Sequence, residues 1–325
     1  MKSNSGPKNE QTIPGKIYRS TGSHYKVRTE TGEMIDAVLR GKFRLGNSKS
    51  TNPICVGDDV ELVNENESWA IVKLHPRKNY IPRKSVNLSS RLQVLCANVD
   101  QALVLFTTEH PVTTLGYIDR ILATCEGYDV PPVILFNKTD LLLTDEEKKK
   151  LEDFVALYST IGYPCHLLCA TDPKYKEKII ELMRDKSSFV VGRSGAGKSS
   201  LINLAEPGLK LKVGIVSDFS GRGKHTTTFA ELHELSFGGA VIDMPGFKEM
   251  EVWGMERTAL DQCFPEMAAH ANSCRFSDCL HVNEPGCTVV AAVENGDIAT
   301  SRYYSYVGML DELDRNEKEH WLGPG

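Results

Sequence analysis

From Ile13 to about Pro82, apolar residues fall in short runs broken by turn signals. The runs are Gly15–Tyr18, Tyr25–Arg28, Met34–Leu39, Asp59–Val63 and Trp69–Val72, punctuated by Gly22, Gly32, Gly41, Gly46 and Gly57. Five short strands in so small a span predict a barrel of the OB type, the alternative being another small β-domain. After Arg91 the pattern changes. Gln101–Phe106 is a continuous apolar run, as in a strand buried on both faces. A helix is expected over 114–128, a strand over 133–136 and a helix over 145–158 opened by the capping-box pattern Thr144-x-x-Glu147. A strand at 165–168, a helix at 175–185 and a strand at 189–191 follow. This alternation predicts a parallel α/β sheet. Beyond Trp253 strand signals stop, and helices are expected at about 288–296 and 301–319.

The expected organisation is therefore multidomain: a disordered tail at 1–12, an OB-like barrel at 13–82 and a polar, basic linker at 83–92. An α/β domain at 93–250 and a mainly α domain at 251–325 complete it. A chain of 325 residues with 41% apolar and 25% charged positions can bury several cores. No stretch approaches the roughly 18 uncharged apolar residues of a membrane span, and Met1–Gln11 carries no apolar signal core. Nine cysteines spread over this length lack the density of a disulfide scaffold, which points to a reducing cytoplasm, and the absence of an apolar anchor argues against a membrane partner. The formal net charge of −5 conceals an asymmetry. Residues 1–92 hold 9 Lys and 7 Arg against 3 Asp and 6 Glu, a net +7, and the remainder nets −12. The basic part is the footprint expected for contact with a phosphate backbone, the alternative being a solvated basic surface.

Gly192-Arg193-Ser194-Gly195-Ala196-Gly197-Lys198-Ser199 matches G-x-x-x-x-G-K-[ST], with an apolar strand before it and a helix, from Ser200, after it. Its backbone N–H groups suit phosphates, Lys198 the β/γ-phosphates and the Ser199 hydroxyl Mg²⁺. Asn137-Lys138-Thr139-Asp140 selects the base. A carboxylate at Asp140 accepts from guanine N1–H and the 2-amino group; adenine offers neither donor and leaves it unpaired. Lys138 can lay its stem over the base. Cys169-Ala170-Thr171 fits the loop that meets guanine O6, through Ala170. Asp243-Met244-Pro245-Gly246 fits D-x-x-G, with Asp243 behind the metal and the Gly246 N–H at the γ-phosphate. Between these lies Gly221-Arg222-Gly223-Lys224-His225-Thr226-Thr227-Thr228, where Thr226 or Thr227 can complete the Mg²⁺ shell. The order is permuted: N-K-T-D precedes the P-loop and D-M-P-G comes last. In a parallel sheet each motif sits at the C-terminal end of its strand, so chain order can change while the site persists.

Phe247 stands where many GTPases place a water-orienting Gln, and a phenyl ring cannot hydrogen-bond water. His225 is the local candidate for that work. Phe247 also admits a nucleotide-gated binding module without useful turnover. Finally, Cys274-x4-Cys279-x-His281-x5-Cys287 offers three thiolates and an imidazole, a set that suits one closed, structural tetrahedral Zn²⁺. The alternative is free thiols with a surface histidine.

Together these motifs resemble the ribosome small-subunit-dependent GTPase A family, a circularly permuted GTPase family of bacteria. The resemblance covers about Ile13 to Leu313 and rests on the barrel pattern, N-K-T-D, G-R-S-G-A-G-K-S, G-R-G-K-H-T-T-T, D-M-P-G-F and the Cys/His cluster in that order. It implies hydrolysis of GTP to GDP and phosphate, with Mg²⁺, stimulated by the small ribosomal subunit and its 16S rRNA during late maturation of that subunit. It also implies zinc on Cys274, Cys279, His281 and Cys287 and a catalytic role for His225. A monomer is the simplest assumption, and other assembly factors are further candidate partners. Met244 departs from the family's usual Thr, and C-A-T makes the O6 contact harder to place.

Overall fold

The computed structural model describes residues 11–40, 53–65, 68–84, 92–211, 230–243 and 255–322. Five strands form the N-terminal barrel: β1 (Ile13–Ser20), β2 (His24–Thr29), β3 (Met34–Leu39), β4 (Asp59–Glu65) and β5 (Ser68–Leu74). They pair in the order 1-2-3-5-4, and β1 closes on β4. Strand alternation fills the interior. Tyr25 and Val27 of β2 and Ile35 and Ala37 of β3 point inward with Ile17, Leu62 and Ile71, while their neighbours face water.

The expected linker is a strand at both of its ends. Strand β6 (Tyr80–Lys84) pairs antiparallel with β7 (Leu92–Ala97). Its polar, basic, Pro-containing composition is what makes the segment read as a linker. Pro82 is tolerated in a two-stranded ribbon, at a register shift between Ile81 and Pro82. Just before β6, Arg77 forms a two-pronged ion pair with the fully buried Asp58, at 2.7 and 2.8 Å, which ties the barrel to this ribbon.

Six more strands make the central sheet: β8 (Gln101–Phe106), β9 (Pro132–Phe136), β10 (Cys165–Leu167), β11 (Ser187–Gly192), β12 (Glu231–Glu234) and β13 (Ala240–Asp243). Their order is 10-9-8-11-13-12, all parallel except the edge strand β12. β12 then meets β1 at Arg19 and Glu231, so the sheet runs on into the barrel. Strand β8 is buried on both faces, as its sequence predicts. Val104 and Phe106 face one core with helices α1 (Leu115–Gly127) and α2 (Asp145–Ile161). Leu103 and Leu105 face the other, with α3 (Lys176–Met183) and α4 (Lys198–Ala205). The capping box of α2 forms as expected, with Thr144 Oγ1 accepting from the Glu147 N–H and the Glu147 carboxylate from the Thr144 N–H.

The C-terminal part is helical: α5 (Pro265–Ala271), α6 (Thr288–Asn295) and α7 (Thr300–Leu322) pack around Phe264, Met267, Val289, Tyr306 and Met309. Ala123 of α1 belongs to this same core. α5 and β12 have no counterpart in the sequence reading, because both are too short to develop a period. No helix among the described residues is long and apolar enough to cross a membrane.

Candidate functional site

Four parallel strands carry the expected motifs off their C-terminal ends. Residues 137–140 follow β9, 168–171 follow β10, the P-loop follows β11, and Asp243 ends β13. Adjacent strands place these loops side by side, and Asn137 joins three of them. Its Nδ2 donates to Ala196 O of the P-loop at 2.7 Å, and its Oδ1 accepts from the Ala170 N–H at 2.9 Å. The amide expected to meet guanine O6 is therefore held by Asn137. Gly197 makes the P-loop contact possible. Its φ is +103°, and a Cβ there would lie 2.3 Å from Asn137 Nδ2.

The P-loop turns into α4 at Lys198, so Lys198, Ser199 and Ser200 form a helix N-terminus, where free N–H groups and the helix dipole favour phosphate. The Lys198 ammonium donates to Gly192 O at 2.8 Å and Arg193 O at 3.1 Å. Burial lowers its pKa, and the nearby Asp243 carboxylate offsets part of that effect. Asp243 thus stands within electrostatic reach of the P-loop lysine; residues 244–246 of the motif lie outside the described residues. Lys138 opens the short turn Thr139–Leu141 from a left-handed conformation, and Thr139 Oγ1 donates to Leu168 O at 3.2 Å. Asp140 is the exposed middle residue of that turn. Arg193 and Ser194 are exposed at the loop's outer rim, with Gly195 next to them. His225, Thr226, Thr227 and Gly246 lie outside the described residues.

The second site is the Cys/His cluster. One ligand atom each from Cys274, Cys279, His281 and Cys287 lies within 4.8 Å of the others. Cys274 Sγ is 3.9 Å from Cys287 Sγ, and His281 Nδ1 is 3.5 and 3.3 Å from those two sulfurs. A tetrahedral ion with metal–sulfur bonds of about 2.3 Å sets sulfur–sulfur separations near 3.8 Å, so the donor set fits a closed four-ligand site. The loop is shaped from two sides. The Glu284 carboxylate accepts from the N–H groups of Leu280, Val282 and Asn283 at 2.9–3.0 Å. Burial raises its pKa, but these N–H bonds outweigh that and leave it below the usual range. From α7, Tyr303 and Tyr306 donate their hydroxyls to His281 O and Leu280 O, both at 2.9 Å. Asp261 Oδ2 lies 3.5 Å from His281 Nε2, the arrangement that fixes a ligating imidazole through its far nitrogen. Sequence reasoning missed Asp261, which stands well upstream in a segment without a motif.

Profile matching assigns residues 74–253 to the RsgA GTPase family and residues 14–72 to the RsgA N-terminal domain. The chain belongs to the RsgA GTPase family. Its curated relatives include the small ribosomal subunit biogenesis GTPase RsgA of Flavobacterium johnsoniae, 42% identical over 95% of both chains. The protein of the same name from Bacteroides fragilis is 39% identical over 94% of this chain and 98% of its own. Among solved structures, YjeQ from Thermotoga maritima superposes with a TM-score of 0.74 at 35% identity, covering 97% of this chain and all of that one. YloQ, described as a circularly permuted GTPase, gives 0.70 at 26% identity over 96% and 98% of the two chains. The permuted motif order read from the sequence is thus an RsgA feature, and this RsgA-family chain is a GTPase.

Proposed function

We propose that this protein binds GTP and hydrolyses it on the small ribosomal subunit during late maturation, with 16S rRNA contact stimulating turnover. The observation that supports this best is the joint held by Asn137. One side chain locks the base-reading loop, the P-loop and the 168–171 loop at a single sheet edge. Asp140 reads the guanine edge, the amides of 192–200 hold the phosphates, and Lys198 neutralises the β/γ oxygens. Mg²⁺, held by Ser199 with Thr226 or Thr227, supplies further charge neutralisation at those oxygens. Gly246 senses the γ-phosphate, and His225 orients the attacking water in place of the missing Gln. Zinc fits Cys274, Cys279, His281 and Cys287, where it supplies a crosslink for a loop with little apolar core of its own. The barrel and its basic loops provide the rRNA-facing side, and a cytoplasmic monomer, with other assembly factors as partners, accords with this work.

GTP turnover measured with and without purified small subunits tests the reading, with ATP as the control nucleotide. Stimulation confined to GTP and abolished in His225→Ala is expected. Equal, near-background rates for wild type and variant would leave a guanine-nucleotide-gated binding module instead.

A further inference from the structure

The turn between β8 and α1, residues 107–113, carries none of the motifs above, yet two nucleotide-site cations end on it. Lys138 Nζ donates to His110 O, and Arg193 donates to Val112 O. Lys138 belongs to N-K-T-D and Arg193 to the P-loop. The two carbonyls are presented by a hydroxyl staple. Thr107 Oγ1 donates to Pro111 O at 2.6 Å, and Thr113 Oγ1 accepts from the Thr107 N–H at 3.3 Å. The two hydroxyls lie 3.1 Å apart, and the Thr113 N–H closes the turn on Thr107 O at 2.9 Å. Since Thr107 already donates to Pro111, Thr113 is the donor between the hydroxyls. Both threonines are buried. A third cation, Lys150 of α2, lies 3.7 Å from Glu109 at the outer end of the turn.

We propose that the 107–113 turn is a further segment of the nucleotide site, and that Thr107 and Thr113 are positioning residues for guanine nucleotide binding. They act through Lys138 and Arg193. A lysine stem covers a base only while its ammonium is anchored, because an untethered stem samples many rotamers that binding must then freeze. The His110 carbonyl supplies that anchor before nucleotide arrives, and the Val112 carbonyl does the same for the rim of the P-loop. Preorganisation of this kind lowers Kd for GDP and GTP alike and leaves the chemical step untouched.

This inference rests on the guanine site assigned above, so the test first establishes that the full-length wild type prefers GDP to ADP. Lys138→Met keeps the stem and removes the anchor; Thr113→Val removes the hydroxyl and keeps its volume. Each is expected to weaken GDP binding about three- to tenfold; Thr113→Val leaves single-turnover hydrolysis at saturating GTP unchanged, and Thr113→Ser keeps wild-type affinity. The decisive comparison is the double variant. If Thr113 acts through Lys138 as well as Arg193, the pair loses less affinity than the product of the two single losses. Multiplicative losses, or wild-type affinity in Lys138→Met, would overturn the proposal while leaving the guanine site standing. A wild type without guanine preference would overturn the site itself and the proposal with it.

Discussion

Asn137 shows how much one side chain decides at the candidate site. It is buried, and both ends of its amide are used on backbone groups of neighbouring loops. Asn137→Ala strands the Ala170 N–H and Ala196 O, and each unsatisfied buried group costs about 1–3 kcal/mol. A titration with a fluorescent GDP analogue should show affinity reduced by roughly one to two powers of ten. Gly197→Ala should do at least as much harm, because the added methyl collides with the same amide and the backbone there is left-handed. Wild-type affinity in either variant would mean that the three loops are held by something else. The identity of Asn137 was legible in N-K-T-D, but its double bond was not. Nothing in a tetrapeptide says which loops the sheet will set beside it. The Thr107–Thr113 staple was invisible for the same reason: two threonines in a polar turn carry no pattern.

At the level of elements, the C-terminal helices are fixed to α1 by charge. Arg302 of α7 is fully buried, as is Asp119 of α1. The guanidinium donates to Asp119 at 2.7 Å and to Glu266 of α5 at 2.6 Å, and it lies 4.5 Å from the centre of the Phe264 ring. Tyr158 of α2 and Ser305 complete the bonds to Asp119, at 2.8 and 2.5 Å. Removing the cation leaves two carboxylates in a dry interface, so Arg302→Met should cost about 3–5 kcal/mol in urea unfolding. Arg302→Lys should recover only part, since an ammonium cannot match the forked geometry; full recovery would show that charge alone suffices. This cluster sharpens the sequence picture of a metal domain that follows the second switch. The helices are also bolted to the nucleotide domain behind α1. The metal loop is the weaker element. A chelator that strips the ion should lower the melting temperature of the C-terminal helices, followed by their own fluorescence at Trp321, and leave GDP affinity within about twofold. An unchanged melt after complete metal removal would make the cluster a set of free thiols. The long helices α2, with its capping box, and α7 were readable from sequence, whereas α5 and β12 were not.

For the whole molecule, the charge asymmetry acquires detail. The +7 of residues 1–92 suggested a basic barrel module and linker. The barrel strands pair cations with neighbours: Lys16 with Asp59, Lys26 with Asp36, Arg28 with Glu234, Arg40 with Glu65 and Lys73 with Glu61. In the sequence, Lys42, Arg44 and Lys49 stand in a stretch, 41–52, that holds no acidic residue, and Arg83, Lys84 and Arg91 stand in the basic linker. Changing Lys42, Arg44 and Lys49 together to Gln should therefore weaken small-subunit binding and flatten its salt dependence, by roughly 0.7–0.9 in the log–log slope for each phosphate that is no longer neutralised. Lys26→Gln should barely register. Equal effects from both would return the rRNA-facing surface to the strand face. What the sequence determined by itself was the local motifs: the P-loop, N-K-T-D, D-M-P-G and a cluster of three cysteines with a histidine, each encoded within a short segment. It also determined the layer pattern, because burial on one or two faces imprints a period of 2, 3.6 or none. Only the tertiary structure decided which loops touch, which charges are spent, that Asp261 backs His281 and that Arg302 joins three helices. Those partners are distant in sequence, and free energy selects them through burial and geometry, which leave no local mark on the chain.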